Sequence, residues 1–499
     1  MATTSASSEL TLDQIQTFEG KYPKQLWYLF FSEMWERFAF YGMRGMLIIF
    51  MENRLHITEK AANLQYGATQ AFVYTLAFVG GMFADKILGY RKSIFWGGFL
   101  MIIGSFILGF APEKLFYYGI SFTIVGTGFF KPNISTMVGG LYKPDDPRRD
   151  AGFGLFYSGI NFGALFGGIL CVWIGKFYSW NLAFSLAGIV MTLSLFIFVF
   201  TKKTLGPIGI SPLVNKIAPS RILVYDIMVY LGSILVIPLI LILVSNTDYT
   251  DMVMYTFGPL ALIYIIYETL KYKGAERAKL IAAIIFILFS IIFWAFFEQA
   301  GGSLALFAEH NLNNSVVGLK IDPNVINNSS NSFFVILFSP FVGLLWLWLN
   351  KKKIEPNTVV KFGLGFIFLA MAYYIFYYTR FFADSNGITS LNIFTIAYLV
   401  ITIGELCLSP IGLSLMTKLA PQRLHAMMMG LWFLASAYGQ YVAGLLGAGM
   451  ATADDHAPLM TKLISYTDGY KQLSIYALIA GVVLIIISPL LRKLMHDVH

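Results

Sequence analysis

The sequence predicts an all-α integral membrane protein that crosses the bilayer fourteen times. Three observations predict it. Of the 499 residues, 57% are hydrophobic and only 12% are charged, and the mean hydropathy is +0.69. A soluble chain of this length needs far more polar surface. Apolar runs of about 20 residues, the length that crosses a hydrocarbon core, recur from end to end. Lys and Arg are concentrated on alternate connecting segments, which is how cytoplasmic loops differ from external ones.

Taken in order, the predicted spans are 27–51, 63–84, 93–112, 116–140, 151–175, 180–200, 223–244, 252–272, 278–308, 333–350, 361–379, 390–416, 425–449 and 473–491. With the N-terminus placed in the cytoplasm, the inside segments carry about three times as many Lys and Arg as the outside ones. The inside set includes Lys86, Arg91 and Lys92, then Lys143, Arg148 and Arg149, then Lys351, Lys352 and Lys353. Both termini are therefore expected in the cytoplasm, and the localisation expected is a cell inner (plasma) membrane. The formal net charge of +8 is a topology signal, and no nucleic-acid partner is expected.

Residues 1–26 are polar, with no apolar core before a small-residue cleavage site, so they read as a cytoplasmic tail. The stretch MATTSASSELTLDQ is expected to be disordered. Cys171 and Cys407 sit in apolar segments of different halves, without metal-site spacing, and read as packing residues. The stretches NNS (313–315) and NNSS (327–330) are expected in outside loops.

Six spans occupy residues 27–200 and six occupy 278–492. Residues 201–277 between them hold a polar linker and two extra spans, and 493–499 form a second cytoplasmic tail. Two six-helix bundles plus two inserted helices predict the major facilitator fold. The loop GGMFADKILGYRKS (80–93) supports this, because it resembles that superfamily's signature of Gly, Asp and paired basic residues. Gly81 permits close helix approach, and Asp85 suits a helix N-terminus. Arg91 and Lys92 suit the cytoplasmic leaflet.

The stretch SEMWERFAFYGMRG (32–45) breaks the apolar pattern. Glu33, Glu36, Arg37, Phe40, Tyr41 and Arg44 recur at i, i+3, i+4, i+7, i+8 and i+11, which is one helix face. A charge at mid-bilayer costs roughly 2.5–3.5 kcal/mol even on the lenient insertion scale. This face therefore turns toward water or toward other charges. Lys131 in GTGFFKPN, Asn161 in FYSGINFGA, Glu298 in FWAFFEQAGGS and Glu405 in ITIGELCLSP join it. The ionisable set is then four acids and three bases, which suggests pairing. No histidine falls deep in a predicted span, so carboxylates are the candidate proton carriers. A low dielectric favours a neutral carboxyl and a neighbouring cation favours the charged form. Making and breaking a Glu–Lys pair would thus load and unload a proton. Tyr41, Tyr74, Trp294 and Trp432, with Ser436 one turn beyond, are candidates to face the same cavity.

EMWERFAFYG resembles the ExxER helix of the proton-dependent oligopeptide transporter family, and GTGFFKPN, FYSGINFG, FWAFFEQ and the Glu405 segment resemble that family's other motifs. The resemblance runs from about residue 20 to the C-terminus, and the central helix pair is similar to that of the bacterial members. It implies proton-coupled import of di- and tripeptides by alternating access. By position it implies that Arg44 and Lys131 bind the peptide carboxylate and that Asn161 and Glu405 bind the amine. Tyr41, Phe40, Tyr74, Trp294, Trp432 and Ser436 would line side-chain pockets. Glu33, Glu36, Arg37, Lys131 and Glu298 would couple protons. Many members have Tyr where this chain has Phe40, which removes a hydroxyl from that position.

Transport of nitrate or another small anion is the alternative within the family, and an intact Glu405 argues against it, because an anion alone needs no acidic partner. A peptide receptor that does not transport is a second alternative. An enzyme is not expected: the chain has no HExxH and no GxSxG. Neither cofactor nor metal is expected. The expected partners are di- and tripeptides, protons and the lipid bilayer.

Overall fold

The computed structural model describes residues 10–408, 412–452, 454, 456–496 and 498. A short helix, α1 (Leu12–Gln16), precedes six long ones: α2 (Lys24–Asn53), α3 (Glu59–Phe83), α4 (Tyr90–Phe110), α5 (Pro112–Gly140), α6 (Arg149–Phe177) and α7 (Trp180–Thr201). The extra pair is α8 (Pro219–Ser245) and α9 (Thr247–Leu270). There follow α10 (Gly274–Phe297), α11 (Ser303–Asn311), a small hairpin of β1 (Ser315–Val316) and β2 (Leu319–Lys320), α12 (Pro323–Lys351) and α13 (Thr358–Tyr378). The chain ends in α14 (Leu391–Leu408), α15 (Leu413–Leu419), α16 (His425–Met450) and α17 (Leu459–Met495).

Each of the fourteen predicted spans is largely helical over its described residues, with breaks at Gly302 inside 278–308 and at Gly412 inside 390–416. Among the described residues, eleven are long and apolar enough to cross a membrane. α2, α5 and α16 fall short of that measure; α2 does so while carrying Glu33, Glu36, Arg37 and Arg44. Local chemistry sets several starts. Pro112 opens α5, where the missing N–H costs nothing. Asp322 caps α12 by accepting from the amides of Asn324 and Val325, with Pro323 as the first helical residue.

Two helices begin earlier than the hydropathy predicts. α12 starts about three turns before 333, so Asn327, Ser329 and Ser330 of NNSS are buried in a helix and not in an outside loop. α17 starts about four turns before 473, because Lys462, Tyr466 and Tyr470 bury one face of an otherwise polar segment. The tail also differs from expectation over residues 11–16. Thr11 and Gln14 form a reciprocal capping box, Ile15 is buried, and Gln16 donates to the carbonyls of Gly140 and Tyr142. Residues 1–9 of that tail, and Ser409 and Pro410 of the Glu405 motif, lie outside the described residues.

The chain forms two compact units. Unit 1 holds residues up to 43 and 76–241; unit 2 holds 44–75 and 242–499. The inserted pair is thereby divided, α8 belonging to unit 1 and α9 to unit 2. In unit 1, α4 packs on α5 and α7. In unit 2, α13 packs on α14 and α17, and α10 packs on α16. Both cysteines are buried and free. In the signature loop, Asp85 accepts from the Tyr90 hydroxyl at 2.8 Å, and Arg91 donates to the carbonyls of Gly206 and Ile208.

Candidate functional site

The ExxER face belongs to unit 1. Gly159, Gly163 and Gly167 recur every fourth residue along α6, and a side chain at any of them would strike α2 at Phe30, Met34 and Phe38. This small-residue stripe lets the two backbones close up, as in membrane helix pairs generally. It fixes the helix turn that carries the charges. Arg37 Nε lies 3.0 Å from Glu33 Oε1 and also contacts Glu36. All three side chains are almost wholly buried, at 2% exposed or less. The Arg37 guanidinium lies 5.3 Å from the centre of the Phe40 ring. Lys131, on α5 beside Pro132, acts electrostatically on both glutamates. The predicted coupling group of Glu33, Glu36, Arg37 and Lys131 is therefore brought together. Asn161 is buried on α6 and donates to the Tyr157 carbonyl at 3.0 Å. Phe40 is buried and meets the Tyr41 ring edge-on.

Glu298, predicted for the same group, belongs to unit 2 and pairs there with Arg44. Arg44 Nε also donates to the Tyr66 hydroxyl at 2.5 Å. Glu298 sits where α10 stops and a tighter turn, Glu298–Gly301, leads into α11. Helix breaks at membrane depth need partners for the freed carbonyls. Here Tyr373 donates to Phe296 O, Asn327 to Ala300 O at 2.8 Å, and Gln299 to Ala295 O at 3.1 Å, while Gln299 also ties the corner to α16 through Ala443 O at 2.9 Å. Asn327 in turn accepts from the Tyr398 hydroxyl at 2.5 Å. The glutamate is thus held on a braced corner.

Glu405, on α14, accepts from Asn331 Nδ2 at 2.7 Å, and Asn331 also reaches Thr402 Oγ1 at 3.2 Å. Glu298 lies near enough to act on Glu405 electrostatically. Trp294 of α10 packs its Cβ against Gly439 and its ring against Phe293 and Phe297. Ser436 donates back to the Trp432 carbonyl at 3.3 Å. Tyr74 is half-buried at the unit 2 end of α3.

Sequence reasoning missed three groups. Asn331 lies in a polar run that reads as the edge of a loop. Tyr66 lies on α3, seven residues after Glu59 and four before Gln70, and this polar spacing was the available signal. The third group is an ion cluster in unit 2. Lys462 Nζ lies 2.5 Å from Glu59 Oε1, the Tyr466 hydroxyl contacts the same carboxylate, and His310 Nε2 lies 2.6 Å from Glu52 and 3.6 Å from Glu59. Glu52, Glu59 and His310 place one ligand atom each within 4.8 Å of one another. The Lys462 ammonium already occupies the Glu59 carboxylate, so the arrangement suits an ion-pair clasp joining α2, α3, α11 and α17 better than a metal.

With this geometry in view, the chain was compared with known proteins. The POT family model matches residues 91–463. The chain is 34% identical to "Peptide transporter YePEPT" of Yersinia enterocolitica, over 97% of each protein. It is 28% identical to "Dipeptide and tripeptide permease B" of Xenorhabdus bovienii, over 95% of this chain and 97% of that one. Among solved structures, peptide transporter POT in complex with sulfate superposes with a TM-score of 0.81 at 31% identity, covering 97% of this chain and 99% of that one. A POT family transporter in complex with a thioalcohol-conjugated peptide also reaches 0.81, at 29% identity, covering 96% of this chain and all of that one.

Proposed function

Because the chain belongs to the POT family, we propose that it is a proton-coupled symporter that imports di- and tripeptides by alternating access. The observation that carries the reading is the engagement of Arg44 by Glu298 within reach of Glu405's field, all in unit 2. A zwitterionic peptide needs a cation for its carboxylate and an anion for its amine. Glu405 supplies the anion. Arg44 supplies the cation only when Glu298 lets it go, and protonation of Glu298 removes the charge that holds it. Proton binding and peptide binding then favour one another, which is the thermodynamic content of coupling.

Glu33, Glu36, Arg37 and Lys131 form the second proton-responsive group of this reading. Asn161 acts on the peptide amine, and Lys131 on the peptide carboxylate. Tyr41, Tyr74, Trp294, Trp432 and Ser436 contact peptide side chains, and Phe40 leaves its pocket without a hydroxyl. The protein works as a transporter and not as an enzyme. It lies in the inner membrane with fourteen spans and both termini in the cytoplasm, a topology supported by the Lys and Arg bias. Its domains follow the divisions 1–26, 27–200, 201–277, 278–492 and 493–499.

The test is uptake of labelled dialanine into liposomes under an inward proton gradient, for wild type and Glu405→Ala. Gradient-driven uptake that the substitution abolishes supports a peptide symporter with Glu405 at the amine. A well-folded wild type without gradient-driven uptake overturns the dipeptide reading.

A further inference from the structure

The inserted helix α8 covers two adjoining cavities of unit 1. One, of about 480 Å³, is lined almost wholly by apolar side chains of α3, α5 and α8, among them Leu76, Phe83, Phe129, Met228 and Val236. The other, of about 710 Å³, is the more polar of the two: it carries Lys92, Lys216 and Asp226 among apolar side chains such as Ile217, Ile222 and Leu223. Both open on one stripe of α8. Ile222 and Asp226 line the polar cavity, while Val229, Ser233 and Val236 line the apolar one. These positions recur at i, i+4, i+7, i+11 and i+14, a single helix face. Two contacts fix that face against α4: Lys92 pairs with Asp226, and Trp96 Nε1 donates to Ser233 Oγ at 2.8 Å.

The dimensions match half a bilayer. The apolar cavity follows α3 and the turn after it from residue 87 to residue 76. At 1.5 Å per residue that is about 16 Å, against roughly 15 Å for one leaflet of a 30 Å hydrocarbon core. The polar cavity sits at the cytoplasmic end of this run, among the basic loops. Its charges are of both signs. The Asp226 residue is only 5% exposed; its Oδ2 pairs with Lys92, while its Oδ1 is buried and has no hydrogen-bond partner among the described residues. A buried carboxylate oxygen left without a donor is costly unless a ligand supplies one. Lys92 is 40% exposed and keeps donors available to an anion.

We infer that the apolar and polar cavities beneath α8 together bind one phosphatidylethanolamine-type phospholipid of the cytoplasmic leaflet. An acyl chain fills the cavity between α3, α5 and α8. The phosphate meets Lys92 and Lys216, and the headgroup ammonium donates to Asp226 Oδ1. This complementarity selects among lipids. Phosphatidylcholine has the same charges but no N–H to donate. Phosphatidylglycerol has the phosphate but no cation for the carboxylate. The inserted helix then serves as the wall of a lipid site on the bundle that carries Lys131.

The test is native mass spectrometry of the full chain in detergent, with each of the three lipids added at equal concentration. Phosphatidylethanolamine is expected to be retained at least fivefold above phosphatidylcholine and above phosphatidylglycerol. Asp226→Asn should bring it down to the phosphatidylcholine level. Val229→Trp, which fills the apolar cavity and leaves the headgroup contacts in place, should reduce retention of all three. Equal retention of phosphatidylethanolamine and phosphatidylcholine by the wild type overturns the assignment, and so does preferred retention of phosphatidylglycerol. Selectivity unchanged in a folded Asp226→Asn protein overturns it as well. The readout involves no transport, so it stands or falls apart from the peptide reading.

Discussion

Asn331 holds the carboxylate of Glu405 through a 2.7 Å hydrogen bond from its side-chain amide. The bond aims one carboxylate oxygen. Hydrogen bonds to charged groups contribute about 1.5–3 kcal/mol, and 1.4 kcal/mol is tenfold in an equilibrium constant. Replacing Asn331 by Leu should therefore raise the half-saturation concentration for dialanine about tenfold, read by counterflow in liposomes. Asn331→Asp should do worse, because it sets a second carboxylate against the first. Unchanged counterflow affinity in Asn331→Leu would show that Glu405 does not need this support.

The pairing of Arg44 with Glu298 predicts that two kinds of transport separate. Glu298→Gln cannot gain or lose a proton, and it removes the charge that pairs with Arg44. Gradient-driven uptake should fall to background, while counterflow, which needs no net proton movement, should persist. Arg44→Ala should lose both, because the cation itself is gone. Retained gradient-driven uptake in Glu298→Gln would move the coupling elsewhere, to Glu33 and Glu36.

Much of this site was legible in the residues because a helix has a fixed period. Glu33, Glu36 and Arg37 lie three and four positions apart and do pair, and the glycines of FYSGINFG set the approach that buries them. What escaped were helix ends with a polar inner face. Hydropathy finds helices by what they show to lipid. The first turns of α12 and α17 bury Asn327, Lys462 and Tyr466 against protein, so by composition they read as loops. Asn331 and the Glu59–Lys462 pair went unread for that reason. Pairings such as Arg44 with Glu298, 254 positions apart, have no local signal at all.

Arg37 pairs with two buried carboxylates, on which Lys131 also acts. Removing one partner of a buried ion pair costs about 3–5 kcal/mol, since the remaining charge is left uncompensated. Arg37→Leu should accordingly unfold at a distinctly lower temperature in detergent, measured by intrinsic fluorescence. Adding Glu36→Gln to Arg37→Leu should recover part of that loss. If Arg37→Leu melts with the wild type, the three groups are not holding one another.

The Glu59–Lys462 contact in unit 2 calls for a double-mutant cycle. Lys462→Met removes the ammonium from the buried Glu59 carboxylate, and Glu59→Gln leaves Lys462 without its carboxylate. Each single substitution should lower the melting temperature more than the pair Glu59→Gln/Lys462→Met does. Groups in one network couple by about 0.5–3 kcal/mol, so additive effects would contradict the clasp.

Outside the spans, Glu355 gives a pH prediction with a definite sign. Hydrogen bonds from Lys361 and Asn350 hold its carboxyl below the ordinary value of 4.5. A carboxylate so depressed adds stability above its unfolded value and loses it as pH falls through the folded one. The contribution is therefore constant from about pH 5.5 to 8 and disappears in acid. The Glu355 side chain is 25% exposed, so partial screening limits the effect. Glu355→Gln should melt slightly below the wild type at pH 7, and the two should converge as pH falls through the depressed value. A difference that instead grew on acidification would contradict the sign. A difference that changed between pH 6 and 7.5 would mean that the pair titrates in the range where transport is driven, which the depressed value of Glu355 forbids.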